Sequence, residues 1–306
     1  MVPVLGAPVL AILLGMGLGA ARRPSAAAAV GIAFSATWLL QLAIVLLGSG
    51  LGLGQVVQVG GRALPVMLGT LAIALVGAAA FGRLLAIAPR LRTLIGVGTG
   101  ICGASAIAAV SGIVDASRTE TAYAISTIFV FNIVAVVLFP ALGHLLHLSQ
   151  HGFGLWAGTA VNDTSSVVAA AYAYGHSAGA QAVVVKLTRT TLIVPIALAL
   201  SVLRARTVRS DEGPRRVNST RLVPWFLVWF VVAAALDTAG LIPTGLHEPL
   251  SDAALALITV ALAGVGLSSD LSRMRRTGIR PLLLGALLWL SVASASLLLQ
   301  TLTHQL

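Results

Sequence analysis

Apolar stretches of about 20 residues recur along the whole 306-residue chain and constrain its fold more than any other feature. Hydrophobic residues make up 58% of the sequence and charged residues 9%. Inside a bilayer such stretches form helices, because no water is available to pair with the backbone. Candidate windows are 3–20, 30–52, 63–86, 93–113, 120–146, 152–174, 179–203, 222–242, 249–268 and 280–302. We predict an all-α polytopic membrane protein with about ten transmembrane helices, forming a single domain over residues 1–306.

Basic residues between these windows orient the chain. The first, third, seventh and ninth connections hold 15 of the 19 Lys and Arg residues, whereas the even connections hold only Arg62 and Arg118. Because positively charged loops stay in the cytoplasm, we expect the odd connections inside and both termini outside. The polar seventh connection, residues 204–221, is expected to be a cytoplasmic loop.

Composition excludes several classes of function. The net charge of +10 does not indicate a nucleic-acid partner, because the basic residues lie between apolar windows and not on one basic face. A single cysteine, Cys102, excludes an intrachain disulfide. The histidines lie near window ends without metal-ligand spacing, and no nucleophile–base pair is recognisable. We therefore expect no enzymatic activity, no metal and no cofactor, and a lipid bilayer as the surroundings.

Two internal repeats are visible. The segment from Gln41 aligns without gaps with the segment around Ile258, at a shift of 216 residues that pairs Pro65 with Pro281. The matched windows would have opposite membrane orientations, as in the inverted repeats of many secondary transporters. A weaker match at a shift of 60 pairs 98–109 with 158–169. These two windows would be parallel, which conflicts with the first repeat, and Gly/Ala-rich helices can match by coincidence.

The fourth window contains GVGTGICGASAIAAVSG, residues 96–112. Gly100 and Gly103 weaken a continuous helix there, and an interruption would expose backbone N–H groups beside Cys102 and Ser105. A half-helix that starts inside the membrane carries partial positive charge and suits an anion. The alternative is that these small residues let neighbouring helices pack closely.

The sixth window contains a run of five polar residues, Asn162, Asp163, Thr164, Ser165 and Ser166. Together they cover every face of one helical turn, so they cannot all serve helix packing. Asp163 is the only acid well inside a window, and we expect it to neutralise Lys186 or Arg189 and to take part in ion coupling. Asn132 in the fifth window is a lesser candidate, since such a residue commonly bonds a neighbouring helix.

Lys186 and Arg189 lie three residues apart in the seventh window and leave the same face of a helix. Each positive charge in hydrocarbon costs ~2.5–3.5 kcal/mol, so we expect the pair to face protein, water or an anion. Counted from Arg204, both lie in the outer half of the bilayer, and Lys186 is shallow enough to extend outward. Arg189 is therefore the stronger candidate.

Three strings together resemble the YeiH-type sulfate exporter family of bacterial inner-membrane proteins. They are GTGICGASAIAAVSGIV (98–114), FGLWAGTAVNDTSSVVAA (153–170) and VVKLTRTTLIVPI (184–196). The resemblance extends over nearly the whole chain and implies kinship with the bile acid/arsenite/riboflavin transporter superfamily, with five-helix inverted repeats and crossed discontinuous helices. Many members carry His-Glu where this chain has Asn162-Asp163, and the family's usual extra N-terminal helix is absent from this sequence.

These observations predict a secondary transporter of a small inorganic or organosulfur anion, sulfate-, sulfite- or sulfonate-like, coupled to H+ or Na+. We expect export across the bacterial inner membrane, and the chain is compatible with a homodimer. The predicted substrate-binding residues are Arg189, Lys186, Ser105, Cys102, Gly103, Thr164, Ser165 and Ser166, and the predicted coupling residues are Asp163 and Asn162. The alternative is a monovalent cation/proton antiporter that uses Asn162, Asp163 and Lys186.

Overall fold

The protein is described by a computed structural model over residues 6–21, 25–207, 224–269 and 278–306. These ranges are helical apart from short connections, and they contain no strand, which confirms the predicted all-helical class for this part of the chain. The helices are α1 (Ala7–Ala21), α2 (Ala26–Phe34), α3 (Leu40–Gly48), α4 (Leu53–Leu84), α5 (Pro89–Gly100), α6 (Ala104–Ser111), α7 (Arg118–Leu145), α8 (Gln150–Ala160), α9 (Thr164–Tyr174), α10 (His176–Thr191), α11 (Ile193–Thr207), α12 (Trp225–Thr238), α13 (His247–Ser268) and α14 (Ile279–Leu302).

Six stretches in the described ranges are long and apolar enough to cross a membrane. They are Ala27–Gly48, Leu53–Leu84, Arg118–Leu145, His176–Leu200, Thr244–Ser268 and Ile279–Leu302. Two shorter apolar helices, α1 and α12, accompany them. A π-helical turn, Ser35–Leu39, joins α2 to α3 within the first of these stretches. The fourth and sixth predicted windows are absent from this set, because each is divided into two short helices.

The sixth window folds back on itself. The ring of Tyr174, at the end of α9, stacks on Phe153, near the start of α8, with centroids 3.8 Å apart. Its hydroxyl donates a hydrogen bond to the carbonyl oxygen of Leu148 at 2.5 Å. A straight helix would hold Phe153 and Tyr174 about 32 Å apart, from 21 steps of about 1.5 Å. The helices α8 and α9 therefore form a helical hairpin, called hairpin 2 below, and the prediction of one continuous membrane-crossing helix over this window is not confirmed.

The fourth window folds back in the same way. The helix α5 packs antiparallel to α4, with Gly82 against Arg92 and Gly96 against Ala78. The next helix, α6, turns back beside α5, and the position of a Cβ on Gly98 would lie 2.8 Å from Cδ1 of Ile107. This pair is called hairpin 1, and the prediction of a continuous membrane-crossing fourth helix is not confirmed either.

Serine caps direct the chain out of one hairpin and into the other. Ser117 and Glu120 form a capping box at the start of α7, where Glu120 accepts from the Ser117 backbone N–H at 2.8 Å. The Ser149 hydroxyl accepts from the Gly152 N–H at 2.9 Å and begins α8. Between these two caps, α7 runs past both hairpins and contacts α5, α6 and α9.

The helices α1, α2–α3, α12 and α13 pack against one another and form a scaffold panel beside the hairpins. The helices α1 and α13 approach so closely that a Cβ on Gly15 or Gly266 would collide with the backbone of the other helix. The panel meets the hairpin-bearing core through contacts of α1 and α13 with α9, and of α12 with α4. The helix α11 continues to Thr207 and therefore includes the first residues of the predicted cytoplasmic loop 204–221. The rest of that loop lies outside the described residues.

Candidate functional site

The tips of the two hairpins meet inside the protein. Tip 1 comprises Ile101–Gly103 and tip 2 comprises Val161–Asp163. Gly103 has φ of +69°, a conformation that favours glycine, and it is the N-cap of α6. A Cβ at Gly103 would lie 3.6 Å from the carbonyl carbon and oxygen of Asn162. The predicted interruption of the fourth window is therefore confirmed, and its tip touches the polar run of the sixth.

Lys186 and Arg189 extend from α10 to the backbone of both tips. The Lys186 Nζ donates to the carbonyl oxygens of Ile101 at 2.9 Å and Val161 at 3.0 Å. Arg189 donates from Nε to Gly100 at 2.7 Å, from one terminal nitrogen to Thr99 at 2.9 Å, and from the other to Thr159. Both side chains are 0% exposed. The two cations thus bind the C-terminal ends of α5 and α8.

This arrangement explains how two charges tolerate the interior. The C-terminal end of a helix carries unpaired carbonyl groups and roughly half a negative charge. Each cation bridges the two hairpins at positions separated by 60 residues, Ile101 with Val161 for Lys186 and Thr99 with Thr159 for Arg189. The weak repeat with a shift of 60 therefore corresponds to two structurally equivalent helix ends.

The charges are arranged differently from a simple ion pair. Asp163 makes no direct ion pair with Lys186 or Arg189 among the residues described, because both cations bond to carbonyl oxygens. Its predicted part in ion coupling stays a prediction. Lys186 also does not extend outward, since it is as fully buried as Arg189 and bonds to the backbone of both hairpin tips.

Asp163 is instead the N-cap of α9. Its Oδ2 accepts from the Ser165 N–H at 3.1 Å, the Ser166 N–H at 3.4 Å and the Ser165 hydroxyl. The carboxylate therefore compensates the partial positive charge of this helix start. Asp163 is half-buried and lies within Coulombic range of Lys186. Hairpin 1 has no carboxylate at the corresponding place: the N-cap of α6 is a glycine, and the Cys102 side chain interacts with the backbone of Ala106 in the first turn.

Two buried asparagines lie at the junction of the tips. Asn132, on α7, accepts at Oδ1 from the backbone N–H of Asn162 at 3.2 Å and of Asp163 at 3.4 Å. Its Nδ2 has no hydrogen-bond partner, and neither does the Nδ2 or Oδ1 of Asn162. Each residue is 1% exposed. Buried polar atoms are normally paired, so this group of free donors and acceptors marks a place where water or a ligand can bind.

The other predicted site residues surround the tips at different depths. Cys102 is buried within tip 1, and Ser105 is exposed in the first turn of α6. Thr164 is half-buried at the start of α9, followed by the buried Ser165 and Ser166. Their predicted roles in binding stay predictions. The described residues contain no group of three or more His, Cys, Asp or Glu side chains able to hold a metal ion.

Sequence reasoning missed the backbone carbonyl oxygens that receive the cations. Thr99, Gly100 and Thr159 act through their main chain, and a carbonyl group is common to every residue type. The one available signal was the shift-60 repeat, which places 99 opposite 159 and 101 opposite 161. Asn132 was visible as a polar residue in an apolar window, but its contact with Asn162 depends on tertiary packing.

Long apolar helices around buried, charge-stabilised helix ends define this chain as a multi-pass membrane protein. It belongs to the family described as conserved hypothetical protein 698, which it matches over residues 1–285. It is 43% identical over 307 residues to a UPF0324 membrane protein of Streptococcus pneumoniae serotype 4, covering 98% of this chain and 90% of the relative. A UPF0324 membrane protein of Streptococcus agalactiae serotype V is 42% identical over 305 residues, with coverage of 97% and 90%. One from Clostridium tetani is 38% identical over 308 residues, with coverage of 97% and 89%. No solved structure is significantly similar to the chain.

Proposed function

We propose that this protein is a secondary transporter that carries a small anion across the bacterial plasma membrane. The observation that carries the proposal is the meeting of two hairpin tips in the interior, beside the unpartnered amides of Asn132 and Asn162. Secondary transporters bind their substrates near the bilayer midplane, where broken helices present their ends. A membrane scaffold needs neither buried charges nor free polar groups at such a depth.

The topology that we propose has eight membrane-crossing helical segments, namely the six long apolar stretches together with α1 and α12. The two hairpins enter the membrane from opposite sides. Hairpin 1 follows α4 and leads into α7, while hairpin 2 lies at the other end of α7, where Gly143 packs against Phe153. This topology replaces the ten crossing helices of the sequence prediction, and it makes the hairpins an inverted pair. It also moves Arg118 to the cytoplasmic side, in agreement with the positive-inside rule.

In this proposal the anion binds at the N-terminal ends of α6 and α9. The two cations lie at the C-terminal ends of α5 and α8 and stabilise the anion electrostatically without touching it. The start of α6, where the N-cap is a glycine, offers backbone N–H groups, and Asn162 and Asn132 offer amide donors beside it. Lys186 and Arg189 raise the local potential while their hydrogen bonds hold the two tips together. Arg189 and Lys186 are thus positioning residues with an electrostatic role, which differs from the direct contact that the sequence suggested.

Sulfate, sulfite and small sulfonates are the first substrates to test, because the chain resembles the YeiH-type exporters. Purified protein would be assayed for thermal unfolding with sodium salts of these anions, and for anion flux in proteoliposomes. We expect stabilisation and flux with at least one of these anions that Asn162→Leu abolishes, because the leucine removes the free amide at similar volume. Gln300→Leu is the matched control, since Gln300 is a buried amide at the end of α14. Unchanged anion flux in Asn162→Leu would refute the proposed site.

A monovalent cation/proton antiporter is the second candidate. All three hydrogen bonds that Asp163 receives from described residues go to Oδ2, which leaves Oδ1 available, and Asn162 Oδ1 is unpartnered. Carboxylate and amide oxygens are suitable ligands for a hard cation such as Na+. Stabilisation by Na+ or Li+ at constant anion concentration, without any response to anions, would favour this alternative. A response to both would indicate an anion transporter coupled to Na+.

A further inference from the structure

The hairpin junction has a definite charge balance. Among the described residues, its formally charged side chains are Lys186, Arg189 and Asp163. All three lie within Coulombic range of the Cys102 thiol in tip 1. The ammonium of Lys186 is held by two carbonyl oxygens and the guanidinium of Arg189 by three. At neutral pH the formal charge of these three side chains, two basic groups and the carboxylate that is the N-cap of α9, is about +1.

The helix ends do not change this balance. Two C-terminal ends, of α5 and α8, contribute roughly half a negative charge each. Two N-terminal ends, of α6 and α9, contribute roughly half a positive charge each. Since four ends of opposite sign meet at one junction, their contributions cancel and the side chains determine the net charge.

We propose that the junction selects singly charged anions over doubly charged ones, a proposal that rests on the transport function above. A monoanion bound beside Asn162 makes the buried site neutral, whereas a dianion of the same shape leaves one uncompensated negative charge. Uncompensated charge is strongly disfavoured where water is excluded, and both amides at this site are 1% exposed. The substrate class is therefore a small monoanion such as an alkylsulfonate or hydrogensulfite, and fully ionised sulfate is a poor ligand.

Methanesulfonate and sulfate are suitable probes because both are small and tetrahedral and differ by one unit of charge. Binding of each would be measured by thermal unfolding of the full chain in lipid nanodiscs, at equal ionic strength and constant Na+. We expect the wild type to bind methanesulfonate at least about tenfold more tightly than sulfate. Asp163→Asn raises the site charge by one unit while keeping a good N-cap residue, and it should shift this ratio towards sulfate by about tenfold or more.

Asp252→Asn is the matched control, because Asp252 is an exposed acid in the second turn of α13. It should leave the ratio unchanged. If Asp163→Asn does not fold, Asn162→Asp lowers the site charge by one unit and should weaken both anions together. Equal or tighter binding of sulfate by the wild type would overturn the charge selection and leave anion transport standing. Absence of any response to anions, with a response to Na+ or Li+, would overturn the proposed function as well.

Discussion

Arg189→Met should release the hairpin tips from each other. Methionine fills a similar apolar volume but donates no hydrogen bond, so the carbonyl oxygens of Thr99, Gly100 and Thr159 lose their partner in the protein interior. These carbonyls belong to both hairpins, and no other described side chain except Lys186 bridges the same two helix ends. We expect tips 1 and 2 to separate more easily while the long apolar helices stay packed.

The size of the effect follows from the number of groups left unpaired. Each buried carbonyl that loses its donor costs about 1–3 kcal/mol, which gives about 3–9 kcal/mol for three. Removing the guanidinium also removes its desolvation cost of several kcal/mol, so the lower limit of about 3 kcal/mol is the appropriate value. At about 1.4 kcal/mol for each factor of ten, opening of the tips should become about 100-fold more frequent.

Cys102 reports this opening directly. It is the only cysteine of the chain, it lies in tip 1, and it is 4% exposed. The rate of modification by N-ethylmaleimide therefore measures local opening in the native sequence, provided that closing is faster than the chemical reaction. Arg62→Met is the matched control, because Arg62 is an exposed arginine on α4.

We expect maleimide labelling of Arg189→Met to be about 100-fold faster than labelling of the wild type, and labelling of Arg62→Met to be unchanged. Labelling of Arg189→Met within about threefold of the wild type would refute the reasoning. It would mean that the hairpins hold their geometry without the cation.

Three further predictions concern labelling, topology and hairpin stability. Lys186 is the only lysine of the chain and is fully buried, so an N-hydroxysuccinimide ester should modify it only after unfolding, as detected by mass spectrometry. In a Cys102→Ser background, Arg90→Cys and Arg118→Cys should react with an impermeant thiol reagent from one side of the membrane. His151→Cys and His176→Cys should react from the other side. Reaction of Arg90→Cys and Arg118→Cys from opposite sides would instead indicate a membrane-crossing fourth helix. Tyr174→Phe should lower the free energy of unfolding by about 1 kcal/mol through loss of the hydrogen bond to Leu148, measured by reversible denaturation against the wild type.

The chain breaks at the two hairpin tips were accessible from local sequence. Gly100 and Gly103 weaken a helix wherever they occur, and the five polar residues from Asn162 to Ser166 cannot all be accommodated on one packed face. Lys186 and Arg189 were recognisable for the same kind of reason, because an intramembrane charge is costly in any context. Features that depend on the free-energy cost of a single residue can therefore be predicted from composition and periodicity.

The direction of the chain after each break was decided by contacts between residues distant in sequence. A window of about 20 apolar residues looks alike whether it crosses the bilayer or turns back in its middle. In hairpin 2 the reversal brings Tyr174 into stacking contact with Phe153. The reversal in hairpin 1 depends on packing of α5 against α4 and α6 against α5.

The sequence by itself determined that this chain is a helical membrane protein with broken apolar segments and two cations in the interior, because hydropathy and charge are properties of single residues. Only the tertiary structure decided what those cations neutralise. Charge counting paired them with Asp163, the one acid at the right depth, whereas the folded chain pairs them with carbonyl oxygens at the ends of α5 and α8. The partial charge of a helix end arises from aligned peptide groups, so it exists only once the helix has formed and ended at a particular place.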